Sequence, residues 1–398
     1  MIFSVYVVKG SYTVLLCKRE LYSAVLKSLY HGHLETCEYL DYYQENYYRR
    51  MNMIAYVGSR TSEYYHASGK GISVYEIDDN NNWDLLQTIL CEDNPSYQCM
   101  DNNQEFLYSV HGHSTLATSY RIEPDGRLTY LNTVDFGGEN PVDITVDRNN
   151  RFVIIASLEG GTLFTIERNP DGSLGKTVAH YTYEGKEDGC VSMIHQCLWD
   201  RTKEYLFACA QGRVNGYGQI RMLRYHEETG TFSQVNRFMA RTWDEPRHAV
   251  IHPNNRWLYM VEEKGDKVLY FSINVETGKM QALQELSTLP CTFTGEADAS
   301  EIMIDPTNSY VVVSNRFADI MAVYRIDEFT GYLQNVWFCD SIAAKPRFCC
   351  FAPNGMCYVA GESNHIIVEF QWNAGSGRLK PTGNVIKTHN PVCITFKQ

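Results

Sequence analysis

From residue 53 onward, short apolar runs alternate with polar punctuation, and the runs come in fours. The stretch "EPRHAVIHPNNRWLYMVEE" (245–263) holds two of them, "AVI" and "WLYMV", split by "HPNNR". A third, "VLYFSINVETGKM", ends in Thr-Gly, and a fourth, "QALQELS", follows. Runs rich in β-branched and aromatic residues and bounded by Pro, Asn and Gly read as strands. A Thr-Gly or Asp-Gly pair between the third and fourth is hairpin-turn chemistry.

The same unit recurs along the chain. First and second runs appear at "NPSYQCMDNNQEFLYSVHG" (94–112), "NPVDITVDRNNRFVIIASLEGG" (140–161), "SMIHQCLWDRTKEYLFACAQG" (192–212), "ASEIMIDPTNSYVVVSNR" (299–316) and "KPRFCCFAPNGMCYVAGES" (345–363). With the copy at 245–263 this makes six units, at a period of roughly 45–55 residues, the size of a four-stranded propeller blade. The leftovers complement one another. "NPVCITF" (390–396) is a first strand with no successor, and "MIAYVGSRT" (53–61), "GISVYEIDD" and "WDLLQTIL" are second, third and fourth strands with no first. The expectation is an all-β, seven-bladed β-propeller over 53–398, closed by pairing the C-terminal strand with the start of the domain. Closure removes free sheet edges.

Residues 1–52 lie outside the repeat. They are read as an N-terminal extension, helical over 18–49 or poorly ordered, with the domain starting cleanly at Met51 or Met53. Composition narrows the function classes. At 398 residues and 44% hydrophobic, the chain can bury a large core, and its formal charge of −12 argues against nonspecific nucleic-acid binding, which needs a basic face. No apolar run approaches the roughly 18 residues of a membrane span. Lys9 interrupts the mildly apolar start, so no secretory signal is read there. Thirteen cysteines with no CxxC pair suggest reduced thiols in a cytoplasmic protein. No HExxH, calcium loop, Walker loop or G-x-S-x-G elbow is present, so neither a metal nor a cofactor is expected.

Register places the charges. In such a blade the start of the first strand and the end of the antiparallel second strand share one face. Positions equivalent to Arg247 are Ser96, Val142, His195, Ser300 and Arg347; those equivalent to Glu263 are Arg60, Gly112, Leu158, Gln211, Arg316 and Glu362. Blades two and three offer small or apolar residues. The others bring His195, Gln211, Arg247, Glu263, Arg316, Arg347, Glu362 and Arg60 to one side of the channel mouth. Guanidinium forks bind carboxylate and phosphate bidentately, so an Arg-rich mouth on an acidic chain suggests a small anionic ligand. Plainer roles stay open. Arg247 could pair with Glu245 or Asp244, His195 could be a satisfied interior histidine, and Glu263 could merely neutralise Arg247. His248 and His252 are expected in blade packing, His111 and His113 in loops near the mouth, and Glu301 capping a neighbouring blade.

The pieces "YVGSRT", "NPSY", "HQ" (195–196), "PRHAVIHPNNRWLY", "ASEI" and "SNRFADIMAVYRID" resemble the seven-bladed lactonase family. That family includes propeller-type 6-phosphogluconolactonases and carboxy-cis,cis-muconate lactonizing enzymes. The resemblance covers 53–398. It implies a catalytic set of His195, Arg247, Glu263 and Arg316. Arg60, His111, Gln211, Arg347 and Glu362 are expected to bind substrate. The implied activity is hydrolysis of an anionic sugar lactone such as 6-phosphogluconolactone by a monomer. A muconate-lactonizing lyase and a non-catalytic binding scaffold are the alternatives. Two departures fall at the mouth: Glu245 stands where the family has Gly before "PRH", and "PRF" (346–348) replaces "PRN".

Overall fold

The computed structural model describes residues 6–8, 11–13 and 53–397, and falls into two units, Met1–Asn52 and Met53–Gln398. In the first unit Tyr6–Val8 pairs with Ser11–Thr13 as a short hairpin. The helix expected over 18–49 lies outside the described residues.

The second unit is a ring of seven four-stranded antiparallel sheets. Blade one joins Pro391–Lys397, as its innermost strand, to Met53–Ser59, Ile72–Ile77 and Trp83–Ile89. Blades two to seven follow in order, with innermost strands Pro95–Met100, Pro141–Val146, Met193–Trp199, Pro246–Ile251, Asp298–Ile304 and Pro346–Phe351. The expected closure therefore forms, with Ile54 opposite Lys397 and Gly58 opposite Cys393.

Burial follows position in the blade. The second strand of blade four, Tyr205–Gln211, is buried at every residue, because other blades cover both of its faces. The fourth strand, Thr231–Met239, alternates between exposed and half-buried positions at the rim. The core is divided among the blade interfaces. Seven apolar clusters each draw on two neighbouring blades; one packs Phe207 and Cys209 of blade four against Ile251 and Leu258 of blade five.

Recurrent polar contacts fix the turns. The glycines of the third-to-fourth turns adopt left-handed conformations, as at Gly172 (φ 87°), where a Cβ would lie 2.0 Å from the Phe106 ring. The same glycines accept hydrogen bonds from the preceding blade: Tyr56 to Gly126 (2.9 Å), Tyr108 to Gly172 (3.0 Å) and Tyr259 to Gly331 (2.8 Å). Between first and second strands, a buried aspartate accepts two backbone N–H groups through one oxygen. Asp101, Asp147, Asp200 and Asp305 all do so. Asp147 Oδ1 lies 2.7 Å from the Arg151 amide and 3.0 Å from that of Phe152.

Replacing Asp147 by Ala leaves both amides without that acceptor, at a cost of about 2–3 kcal/mol, since charged hydrogen bonds to buried groups are worth that much. Urea unfolding should show the loss in Asp147→Ala, and no more than about 0.5 kcal/mol in Asp125→Ala on the exposed rim.

Candidate active site

Every innermost strand carries a β-bulge at the same place. The register slips at Val392, Ser96, Val142, His195, Arg247–His248, Ser300–Glu301 and Arg347 in blades one to seven. A bulge frees its residue from the ladder and re-aims the side chain. Here it turns one side chain per blade toward the axis. A single cavity is lined by Val392, Ser96, Val142, His195, Arg247, Glu301 and Arg347, one residue from each of the seven innermost strands. Tyr97, His248 and Phe348 complete it.

Second-strand ends meet the same face. Backbone hydrogen bonds one step beyond the ladder hold Glu263 to Glu245 (2.8 Å), Arg60 to Asn390 (3.0 Å) and Glu362 to Lys345 (3.3 Å). Gln211 and Arg316 lie within their ladders, opposite Met193 and Asp298. The residue leading into these strands takes a left-handed conformation: Asn94, Asn140, Asn390, Lys345 and Glu245, the last at φ 58°. Asn tolerates this region and Gly favours it. The Glu245 position therefore suits the family's Gly on backbone grounds.

Glu263 is the hub. Its Oε1 lies 2.7 Å from an Arg316 Nη2 and its Oε2 lies 3.3 Å from Arg247 Nε, while Gln211 Nε2 donates to Oε2 at 2.6 Å. Arg247 also donates to the Ser300 carbonyl (2.8 Å), and Arg316 approaches Asp298 (3.5 Å), which Lys264 holds from outside (2.7 Å). Arg213 donates to Gln211 Oε1 at 2.8 Å, extending the chain outward. Burial alone would raise the Glu263 pKa. The Arg316 and Arg247 guanidiniums override it and hold the carboxyl well below the usual carboxylate range. The adjacent Glu262 has the opposite fate: burial and Asp244 push its pKa up to about 8.

His195 is buried, and its Nδ1 has no hydrogen-bond partner among the described residues. Burial first, then the Arg247 guanidinium and His248, drive its pKa well below the usual histidine value. It is thus a neutral imidazole at pH 7. The His248 ring stands edge-on to it, with centroids 5.0 Å apart. Beneath them Tyr97 and Phe348 meet edge to face (6.1 Å) and also line a second, more apolar cavity with Phe351 and Phe396. These two rings separate the charged site from that cavity.

The second charged group joins blades one and seven. Glu362 accepts from Lys345 at 2.9 Å and lies 4.0 Å from Arg347 Nε. Burial opposes ionisation of Glu362, but Arg347 and Arg60 hold its pKa below the ordinary value. Of Arg60, Arg247, Arg316 and Arg347, the last is the most open, with 16% of its side chain exposed. Arg60 stacks over the Tyr65 ring at 4.1 Å, and its Nε is buried with no partner among the described residues.

The structure thus brings together His195, Arg247, Glu263, Arg316 and Gln211, with Arg347, Glu362 and Arg60 beside them. His111 is a correction. It is fully buried, with Nδ1 bonded to the Glu92 carbonyl (3.0 Å) and Nε2 to Thr118 (2.9 Å), so neither nitrogen remains for a substrate. The side chain near the mouth is His113, which hydrogen-bonds Tyr65. His248 is a second correction: it faces the axial cavity and pairs with Glu301 at 2.8 Å instead of packing inside a blade. Arg247 pairs with Glu263 and not with its sequence neighbours: Asp244 faces Lys267 (3.4 Å) and Glu245 faces Arg213 (3.7 Å). Sequence reasoning missed Asp298, although it sits opposite Arg316 in the ladder that placed Arg316 at the mouth.

Burial lowers the His111 pKa to about 4. A folded-state value depressed below 6.5 means that the unfolded chain binds the proton first. This stability is present above pH 6.5 and is lost as pH falls toward 4. From pH 7 to pH 5 the loss is about 2 kcal/mol for this group. His111→Gln, which can keep both hydrogen bonds, should flatten the fall in urea-unfolding free energy over that interval by a comparable amount.

Three comparisons bear on this architecture. The family described as "Lactonase, 7-bladed beta-propeller" matches residues 54–396. The 6-phosphogluconolactonase of Bacillus subtilis is 26% identical over 353 residues, covering 86% of this chain and 98% of that protein. The 6-phosphogluconolactonase of Pectobacterium atrosepticum is 27% identical over 284 residues, 70% of this chain and 78% of its own length. A periplasmic gluconolactonase from Pseudomonas aeruginosa superposes with a TM-score of 0.78 at 23% identity, covering 87% of this chain and 99% of that one, which is a likeness of fold. Among the described residues no helix is long and apolar enough to cross a membrane, and no cluster of three metal-ligating side chains occurs. The ring of seven blades and the match across nearly all of it place this chain in the seven-bladed β-propeller lactonase family.

Proposed function

We propose that this chain hydrolyses an anionic sugar lactone, with 6-phosphogluconolactone, giving 6-phosphogluconate, as the leading substrate. The observation that carries the reading is the gathering of four guanidiniums at one mouth of an acidic ring. Arg60, Arg247, Arg316 and Arg347 converge there on Glu263, Asp298 and Glu362, and Arg60 has no carboxylate partner among the described residues. The relatives named 6-phosphogluconolactonase support the choice of lactone.

In this reading Arg247 and Arg316, immobilised by Glu263, face the lactone carbonyl oxygen. Arg347 and Arg60, which are less engaged, take the phosphate. His195 accepts a proton from water as the water oxygen bonds to the carbonyl carbon, and negative charge collects on the carbonyl oxygen beside the guanidiniums. Fixed donors aimed at that charge are worth about 3 kcal/mol each. The ring C–O bond then breaks, and His195 returns the proton to the departing ring oxygen. Glu263 already receives two guanidiniums and an amide, so its role is to hold them and not to shuttle protons.

Purified protein should open 6-phosphogluconolactone faster than the spontaneous reaction, and a rate no higher than spontaneous would sink the proposal. His195→Ala and Arg247→Ala should each lower kcat by about two orders of magnitude. Arg347→Ala should instead raise KM about tenfold for the phosphorylated lactone and leave unphosphorylated gluconolactone little changed. Full activity in all three variants would refute the site assignment.

A further inference from the structure

Two buried nitrogens in the axial cavity lack partners: His195 Nδ1 and His248 Nε2. They belong to the edge-on pair of rings. The other nitrogen of His248 fixes the chemistry between them. His248 Nδ1 lies 2.8 Å from Glu301 Oε1, which already accepts the Ile302 amide at 3.1 Å. An oxygen used as an acceptor there takes the imidazole N–H as a donor. His248 Nδ1 therefore carries its proton and Nε2 presents a lone pair to the cavity. A lone pair facing the cavity needs a donor. Of the groups around it, Glu301 is the acceptor already used, Arg247 donates to Ser300 and contacts Glu263, Ser96 donates to the Pro141 carbonyl (3.3 Å), Arg347 is paired with Glu362 (4.0 Å), and the Tyr97 ring is edge-on at 6.0 Å. His195 Nδ1–H is the complementary partner. The cavity, at ≈ 10 Å³, admits one water molecule to bridge the two rings where they do not touch directly.

We propose that Glu301, His248 and His195 form a directed relay in which Glu301 fixes the His248 tautomer and His248 fixes that of His195. His195 then carries its proton on Nδ1 and offers the Nε2 lone pair to the attacking water. This deepens the lactonase reading above and rests on it for the identity of that water. His248 and Glu301 are positioning residues: Glu301 touches His248, His248 touches His195, and both act on the reaction only through His195. Depressed histidine pKa values at both rings agree with neutral imidazoles, which such a relay needs. Burial is the leading cause in each, with Arg247 and Arg347 adding to it and Glu301 opposing it at His248.

The test has two independent readouts. Nitrogen-15 spectra of histidine-labelled protein at pH 7 should show His195 and His248 both protonated at Nδ1, and Glu301→Gln should abolish that preference at His248. His195 protonated at Nε2 in the wild type overturns the relay. This readout needs no substrate, so it stands even if the chain fails to open 6-phosphogluconolactone. In kinetics, Glu301→Gln and His248→Gln should lower kcat about 10- to 100-fold, the usual cost of losing an orienting partner, with KM within about twofold. Neither should lower it further in a His195→Ala background, because groups acting as one unit are not additive. A further loss in that background, or wild-type kcat in both single variants, refutes it.

Discussion

Ring closure by the pairing of Pro391–Lys397 with Met53–Ser59 is the constraint on which the rest depends. A blade cannot bury both of its faces alone. Each apolar cluster is completed by the next blade, so the seventh interface exists only if the two ends of the domain share a sheet. Closure also crowds seven innermost strands around one axis. That crowding is where the site comes from. A regular strand would alternate its side chains between the two blade interfaces. A bulge in each inner strand breaks the alternation and leaves at least one side chain of every blade lining the axial cavity.

The inward positions are expensive places for charge. Moving a carboxylate or guanidinium out of water costs several kcal/mol, and a buried pair recovers this only with good geometry and satisfied hydrogen bonds. Glu263 shows how the cost is met: two guanidiniums, a side-chain amide and the rigid ladder of blade five surround one carboxylate. Arg316 is shared in turn with Asp298, and Arg247 with the Ser300 carbonyl. The network spans blades four, five and six, so it resists distortion only while those blades are locked together. Apolar residues would fill the mouth at less cost, as Val142 and Val392 do on the other side. The asymmetry is what singles out this side as the candidate site.

Much of this was legible in the sequence because two periodicities agree. The four-run unit gives the blade, and antiparallel pairing then fixes which residues share a face. His195, Gln211, Arg247, Glu263 and Arg316 follow from those rules alone. Part of what was not legible lies in the bulges. The bulge occupies two residues in blade five, Arg247 and His248, where the register leaps from Pro246 to Ala249. Strict alternation sends His248 into blade packing, whereas Glu301, expected to cap a neighbouring blade, does reach His248 of blade five from the equally wide bulge of blade six. His111 fails for the converse reason. It lies inside a regular ladder opposite Pro95, one residue short of the mouth position held by Gly112, and its ring turns into the blade. No residue type announces a two-residue bulge, and only the coordinates place it.

The division of labour between Glu263 and His195 follows from the same physics. Both are buried at the mouth, yet their surroundings drive them apart. Guanidiniums on two sides keep Glu263 ionised and paired, so a proton placed on it would weaken its hold on the arginines. Burial first, and then the same guanidiniums, disfavour a positive charge on His195 in its resting state. In the proposed reaction a neutral imidazole whose Nε2 carries a lone pair is a ready acceptor, and the charge it would gain on taking a proton is opposed by Arg247. That opposition favours returning the proton promptly to the departing ring oxygen. It limits how long the imidazolium persists, which suits a lactone, an ester that already opens readily in water. In the proposed reaction the arginines would thus serve both halves of the step: stabilising the oxyanion as it forms and hastening release of the proton that made it.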